Sequence, residues 1–289
     1  PQKINLSGRF SKAEIEQYYS IQNEFPAVYG LKENELPSKS DKKRIAQVSS
    51  WIEAIREDGR VHGFVIPNGA ITGRMTHRNP NMAQVPAIYS PYGKECLSCW
   101  TVPKGYKLVG IDASGLELRM LAHYMDDKEY TNEILNGDIH TTNQRLAELE
   151  SRDKAKTFIY ALMYGAGDEK LGSVVGGSTS DGKRARQYFF DNKPTFKSLR
   201  DRVQRASAKN YLKGLDGRKL YVRNQHSALN TLLQGAGAIV MKQGLVLLDD
   251  VLRLNSMEYK FVANIHDEWQ IEVPKCHADK VGQLAVESI

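Results

Sequence analysis

Apolar positions recur along the chain with two different periods, and each change of period marks an element. Ile45, Val48, Ile52 and Ile55 recur at helical spacing within 41–57, with Lys42, Lys43, Arg44 and Arg56 off that stripe, so the spacing predicts an amphipathic helix. Segments 61–66 and 70–72 read as two short strands around a Pro67-Asn68-Gly69 turn. Leu108, Val109 and Ile111 read as a buried strand that ends on Asp112, and after the small turn Ala113-Ser114-Gly115 a helix opens over 116–125. A further helix follows Asn136-Gly-Asp-Ile-His140 and ends near Glu150. Ser151 caps the next, 152–164, which Gly165 and Gly167 close. The Gly/Ser-rich run 172–183 reads as a flexible connection, 183–212 as basic helices broken at Pro194, and 214–222 as a turn leading into a strand. One long helix spans 227–254, and strands 261–265 and 269–273 flank the acidic tip His266-Asp267-Glu268. Residues 1–40 show no clear period. The sum is an α+β chain.

Composition narrows the class only slightly. Of 289 residues, 41% are apolar and 26% charged, ordinary values for a globular chain that argue against disorder. No stretch reads as a membrane span or a signal peptide, so no membrane partner is expected. Three cysteines, an odd number, point to a reducing compartment such as the cytoplasm rather than a disulfide framework. Cys96-x-x-Cys99 lacks the second Cys or His pair that a zinc site needs. The net charge of +6 mildly favours a polyanionic partner, and its distribution is more telling: 183–223 holds thirteen Lys/Arg against three Asp. A merely soluble basic surface is the plain alternative.

Candidate chemistry gathers in three places. A carboxylate at the end of a buried strand, Asp112, is either a helix cap or an oxygen ligand for a hard cation. A second acid, Asp267, at the tip of a tight hairpin is electrostatically costly unless a cation sits there, and two carboxylates on adjacent strands can bridge two magnesium ions for in-line displacement at phosphorus. On the 152–164 helix, Arg152, Lys156, Tyr160 and Tyr164 recur every four residues and share a face. Cations followed by tyrosines suit a surface that holds phosphates at one end and stacks a base at the other, although an amphipathic helix with snorkelling cations remains open. The loop 72–84 adds Arg74, His77 and Arg78 to a run of amides, a density of donors that suits nucleic-acid backbone and base edges. The run Gly177–Lys183 approaches a phosphate-binding loop but has Arg184 where Ser/Thr belongs, and it follows a helix, so it is set aside.

Asp112-Ala-Ser-Gly-Leu-Glu117-x-Arg119, Arg152-x3-Lys156-x3-Tyr160-x3-Tyr164-Gly165 and His266-Asp267-Glu268 together resemble the three polymerase motifs of family A (Pol I-like) DNA polymerases. The runs Lys156–Tyr160, Tyr164–Gly167 and Asp168–Lys170 look closest to the replicative enzymes of short-tailed bacteriophages, and the resemblance covers about 41–275. It implies a right-hand polymerase architecture: part of a helical thumb in 1–57, an antiparallel palm sheet in 58–138 and 213–289, and helical fingers in 139–212. It implies template-directed DNA synthesis, adding dNMP to a primer 3′-OH with release of pyrophosphate. The implied cofactors are two Mg2+ ions, with Mn2+ as an alternative, and the implied partners are primer-template DNA, dNTPs and an unidentified processivity factor. Acting in the cytoplasm, the enzyme would work in a bacterial host if phage-encoded.

Residue by residue, the resemblance implies that Asp112 and Asp267 are metal ligands, joined by the Ala113 carbonyl, with Glu268 in support. Arg152, Lys156 and His140 would meet the triphosphate, with Lys156 as general acid for pyrophosphate. Ala113, Ser114, Gly115 and Leu116 would line the nucleotide site, where Glu117 with Tyr160 excludes a 2′-hydroxyl. Tyr164 would stack near the template or insertion site, and Arg74, His226, Asn230, Gln234 and His266 would contact the primer terminus and minor groove. Tyr160, where many relatives carry Phe, implies ready acceptance of dideoxynucleotides. Gly165 and Gly167 suggest a hinge for fingers closure. Trp269 replaces an expected aliphatic residue, His226 stands in place of an Arg, the 205–214 span is short, and the chain stops at Ile289 soon after the hairpin, as a fragment would. A single-subunit RNA polymerase shares the paired acids and the Lys/Tyr helix, but Glu117 would obstruct the ribose such an enzyme must admit. A two-metal nuclease has no need of the cationic helix face, and a non-catalytic DNA-binding remnant would leave the acids idle.

Overall fold

The first helix already shows how packing selects among apolar positions. A computed structural model describes residues 39–289. Within it, α1 (Lys39–Glu53) buries Trp51 to 1% exposure, while Ile45 stays half exposed and Ile55 lies past the helix, bridging Val61. The large indole against Trp100, with ring centroids 5.1 Å apart, takes the place the expected aliphatic stripe was to fill. Strand β1 (Phe64–Ile66) pairs with β2 (Thr76–Arg78) rather than with 70–72. The donor-rich loop is therefore partly strand. His77 is buried with its ring Nε2 2.9 Å from the Asn264 carbonyl, and Arg78 lies over the Phe64 ring at 4.5 Å. His77 thereby serves the fold, while Arg78 stays exposed.

The chain divides into two compact units. One comprises 39–67, Met75–Asp112 and Val246–Ser288. It is built on an antiparallel three-stranded sheet in the order β3 (Tyr106–Asp112), β7 (Glu268–Pro274), β6 (Lys260–Ile265), with α2 (Gly93–Ser98) before β3. The register sets Ile111 opposite Trp269 and Asp112 opposite Glu268. Trp269, Ile271 and Val273 are fully buried, and the closing helix, Ala278–Glu287, packs on β3. Trp269 is accommodated whole. Glu272 is buried in this sheet as well, its carboxylate accepting from Arg60 Nη2 at 2.9 Å to each oxygen and from Lys260 Nζ at 3.2 Å.

The other unit comprises Asn68–Arg74 and Ala113–Leu245. It is helical: α3 (Leu116–Met125), α4 (Lys128–Asn136), α5 (Ile139–Leu146), α6 (Arg152–Met163), α7 (Asp168–Val175), α8 (Thr179–Asn192) and α9 (Pro194–Ala206). The hairpin β4 (Tyr211–Lys213) and β5 (Lys219–Tyr221) follows. Leu118, Leu121, Phe158, Phe189, Phe196 and Leu233 form the centre of its core. The predicted flexible connection at 172–183 is instead the crossing of α7 and α8. Ser178 and Asp181 form a reciprocal capping box at the start of α8. A methyl on Gly182 would lie 2.3 Å from the Gly172 nitrogen, so the glycines are there to let two backbones touch.

Helix α10 (Ala228–Leu254) runs through both ranges. By length and composition the helical run Gln225–Leu254 could cross a membrane, contrary to the sequence expectation, yet 56% of its most apolar window is buried within the protein. It is apolar on several sides because Leu229, Leu233, Met241, Leu248 and Leu252 are all core residues.

Candidate active site

In the sheet-containing unit, the three acids gather at one end of the antiparallel sheet. His266 and Asp267 form the two-residue turn between β6 and β7, and His266 holds a left-handed φ of 58°, a conformation costly for a non-glycine side chain. Asp267 thus sits in the turn, and it is Glu268 that faces Asp112 across the ladder. Asp112 does not cap the following helix: the N-cap of α3 is Gly115, at φ 61°. Its carboxyl is pushed above the usual range by partial desolvation and then by the charges of Asp267 and Glu268. Gln270, opposite Gly110, donates its side-chain amide to Glu268, and a methyl on Gly110 would lie 2.8 Å from that amide nitrogen. Sequence reasoning misses Gln270. Its only signal is the glycine paired with it, which is visible once the register is known.

A concentration of like charge on a rigid strand end is the electrostatic environment a hard divalent cation relieves, and oxygen-only donors suit Mg2+. Among the described residues no three Asp, Glu, His or Cys side chains converge as a ready-made cage. That donor set fits an ion that keeps water and substrate oxygens among its ligands.

In the helical unit, Ser151 accepts from the Lys154 nitrogen and starts α6. Ala155, Phe158, Ile159, Leu162 and Met163 are buried on one side, while Arg152 and Lys156 are exposed and Tyr164 is 45% exposed on the other. The apolar side anchors the helix, so Arg152, Lys156 and the Tyr164 ring are presented outward, while Tyr160 is partly buried against the edge of the core. The Tyr160 ring lies 6.2 Å from that of Tyr164 and 6.4 Å from that of His140. His140 is held below its ordinary pKa by desolvation and by the positive charges of Arg152 and Lys156, and its buried Nδ1 has no hydrogen-bond partner. Arg152 is gripped at two points by Asp138, Nε to Oδ2 at 2.6 Å and Nη2 to Oδ1 at 3.1 Å.

Glu117, in the first turn of α3, is 8% exposed and receives two donors: Tyr164 Oη at 2.6 Å and Arg74 Nη2 at 2.7 Å. Tyr164, one turn beyond Tyr160 on α6, thus brings its own hydroxyl to this carboxylate. Burial and the adjacent Glu117 carboxylate push the Tyr164 hydroxyl well above its ordinary pKa, which keeps it a donor. Arg74 is itself steadied, because Lys242 Nζ on α10 donates to the Gly73 carbonyl and to Asn68 Oδ1, both at 2.6 Å. Sequence reasoning misses Lys242 too, since no local pattern connects it to a loop 169 residues earlier.

The remaining expected residues are distributed as follows. Ala113 and Leu116 are buried and Ser114 is exposed, and the Ala113 carbonyl accepts the Leu116 nitrogen at 3.1 Å, leaving one lone pair. Gly165 has φ 82°, and a methyl there would lie 2.0 Å from the His226 carbonyl, so tight packing already requires glycine at this position. The His226 side chain is exposed. Asn230 and Gln234 lie one turn apart on α10, and Asn230 Oδ1 is buried without a hydrogen-bond partner. The structure therefore brings Asp112, His266, Asp267 and Glu268 together in one unit. In the other it joins His140, Arg152, Lys156 and Tyr160, and through the neighbouring Tyr164 ring also Glu117 and Arg74.

The "DNA-directed DNA polymerase" of Escherichia phage T7 is 42% identical over 282 residues, covering 85% of this chain and 40% of the relative. That of Enterobacteria phage T3 is likewise 42% identical, over 281 residues. The chain thus spans about two fifths of the length of these phage relatives. The fold matches that of the "POL domain of Pol1 from M. smegmatis complex with DNA primer-template and dNTP", at a TM-score of 0.79 and 24% identity, over 86% of this chain and 48% of that one. The family model for DNA polymerase family A aligns with residues 21–289, which include both acidic strand ends and the whole cationic helix, and the chain belongs to that family.

Proposed function

We propose that this chain carries the polymerase activity of a DNA-directed DNA polymerase, extending a primer 3′-OH on a DNA template with dNTPs and releasing pyrophosphate. The observation that carries the reading is the outward face of α6. Arg152 and Lys156 stand free of the core beside His140, and the ring of Tyr160 continues the face, a surface with the chemistry to hold a triphosphate and the sugar and base attached to it. The phage relatives at 42% identity support the same substrate class.

In this reading Asp112 and Asp267 hold divalent cations, with a lone pair of the Ala113 carbonyl, and Glu268 supports them. Mg2+ bound there supplies activation of the primer hydroxyl and neutralisation of charge on the phosphate oxygens. The 3′-hydroxyl releases its proton to solvent and its oxygen forms a bond to the α-phosphorus as the bond to the bridging oxygen breaks. Arg152 and His140 hold the departing phosphates, and Lys156 Nζ gives a proton to the pyrophosphate oxygen. Glu117, fixed by Tyr164 and Arg74, closes the space a 2′-hydroxyl would need. Ser114, Gly115 and Leu116 flank the nucleotide, and Arg74, His226, Asn230, Gln234 and His266 meet the primer terminus. The sheet would be the palm (58–138 and 213–289), 139–212 the fingers and the chain to 57 part of a thumb. The enzyme would act in the host cell.

The test is extension of a labelled primer on a defined template. Asp112→Ala and Asp267→Ala should abolish extension while primer-template binding persists. Extension surviving either change refutes the assignment.

A further inference from the structure

Arg152 has five N–H donors, and two of them are committed to one carboxylate. That carboxylate, Asp138, is itself saturated. Oδ1 accepts from the His140 nitrogen at 3.1 Å as well as from Arg152, and Oδ2 accepts from Thr141 Oγ1 at 2.8 Å. Asp138 is thereby both the N-cap of α5, which carries His140, and the anchor of a guanidinium on α6. The Nε/Nη2 edge of Arg152 is occupied, and the three remaining donors point away from Asp138. Arg152 is half exposed, so those donors are open to a ligand.

We propose that Asp138 is a positioning residue for the incoming nucleotide, fixing Arg152 so that its free guanidinium edge, in register with His140, meets the triphosphate. The inference rests on the reading of Arg152 as a phosphate contact. An acid this close to a polyanion site costs attraction in proportion to its charge, and it is useful only if it fixes geometry: a planar fork held at one edge presents the other in one orientation, whereas a free arginine must be ordered at each binding event. The same carboxylate sets the first turn of α5, so one group aligns both cationic partners.

The test is single-nucleotide incorporation kinetics on a primer-template with Asp138→Asn, Arg152→Ala and the double variant. Asn remains a good N-cap, so α5 and the thermal midpoint should be unchanged, while its amide turns donors toward Arg152. Loss of two-point positioning should raise the dNTP KM about tenfold with kcat within about twofold. In the Arg152→Ala background the same change should have no further effect. If Asp138→Asn leaves KM unchanged while Arg152→Ala raises it, the proposal fails and the polymerase reading stands. An equal effect of Asp138→Asn in the Arg152→Ala background also overturns it, because Asp138 would then act by another route. If Arg152→Ala leaves KM unchanged, Arg152 is no phosphate contact, and both that assignment and the proposal built on it fall.

Discussion

Replacing Arg60 by Met tests whether the sheet that presents Asp112 and Glu268 is held as described. Glu272 lies on the central strand with its side chain fully buried, and it receives two bonds of 2.9 Å from Arg60 and one of 3.2 Å from Lys260. Removing one partner of a buried ion pair costs about 3–5 kcal/mol. Lys260 remains and Arg60 is itself 23% exposed, so the expected loss falls below that range, at about 2–3 kcal/mol. All three tryptophans, Trp51, Trp100 and Trp269, belong to the unit built on this sheet, so urea denaturation followed by tryptophan fluorescence reads the effect where it occurs. The midpoint should fall with the slope unchanged.

The same pair predicts a pH dependence. Burial pushes the Glu272 carboxyl up, but the hydrogen bonds from Arg60 and Lys260 outweigh it, and the net shift is below 4.5. A carboxyl depressed in the folded state stabilises fully above its unfolded pKa and loses that contribution as pH falls through the folded value. The gap between wild type and Arg60→Met should therefore be full at neutral pH and close progressively below 4.5. An unchanged midpoint, or a gap that persists unaltered into acid, would refute the reasoning.

Further predictions concern the ligand-facing residues. Tyr164→Phe removes one of two donors to Glu117; with water able to reach the half-exposed ring, the loss is about 1.5 kcal/mol, and discrimination of dNTP over rNTP in competing incorporation should drop about tenfold. Undiminished discrimination would detach Tyr164 from the gate. Tyr160→Phe should reduce incorporation of dideoxynucleotides relative to dNTPs in a chain-termination assay, and equal termination by both proteins would sink that expectation. Lys242→Met deletes two bonds of 2.6 Å to the Arg74 loop; amide exchange in 68–74 should accelerate about tenfold or more while the α10 amides stay protected. Uniform acceleration across the helical unit would mean that Lys242 supports the core and not the loop.

Long, strongly periodic elements are legible in the amino-acid sequence itself. The strand ending at Asp112, the helices opening at Leu116, Arg152 and Ala228, and the hairpin around Asp267 all appear within a residue or two of their expected bounds, although of the strand's apolar residues Leu108, Val109 and Ile111 only Ile111 is buried as expected. Features that depend on distant partners are not. Segment 70–72 resembles a strand, but β1 takes 76–78 instead, a choice made by the sheet and not by local propensity. The glycines of 172–183 look like a linker, and only the approach of α7 to α8 reveals them as a helix crossing. Asp138 reads locally as no more than a helix cap, because the guanidinium it also holds lies fourteen residues on, on another helix. Lys242 likewise acts through contacts that no short window contains.

The central claim is template-directed nucleotidyl transfer, and the most direct measurement is release of labelled pyrophosphate from a dNTP in the presence of Mg2+ and a primer-template. Release is expected with a one-to-one gain of a primer nucleotide, only when the dNTP complements the template base, and none is expected from Asp112→Ala. Release independent of the template base, or primer extension that survives loss of Asp112, would contradict it.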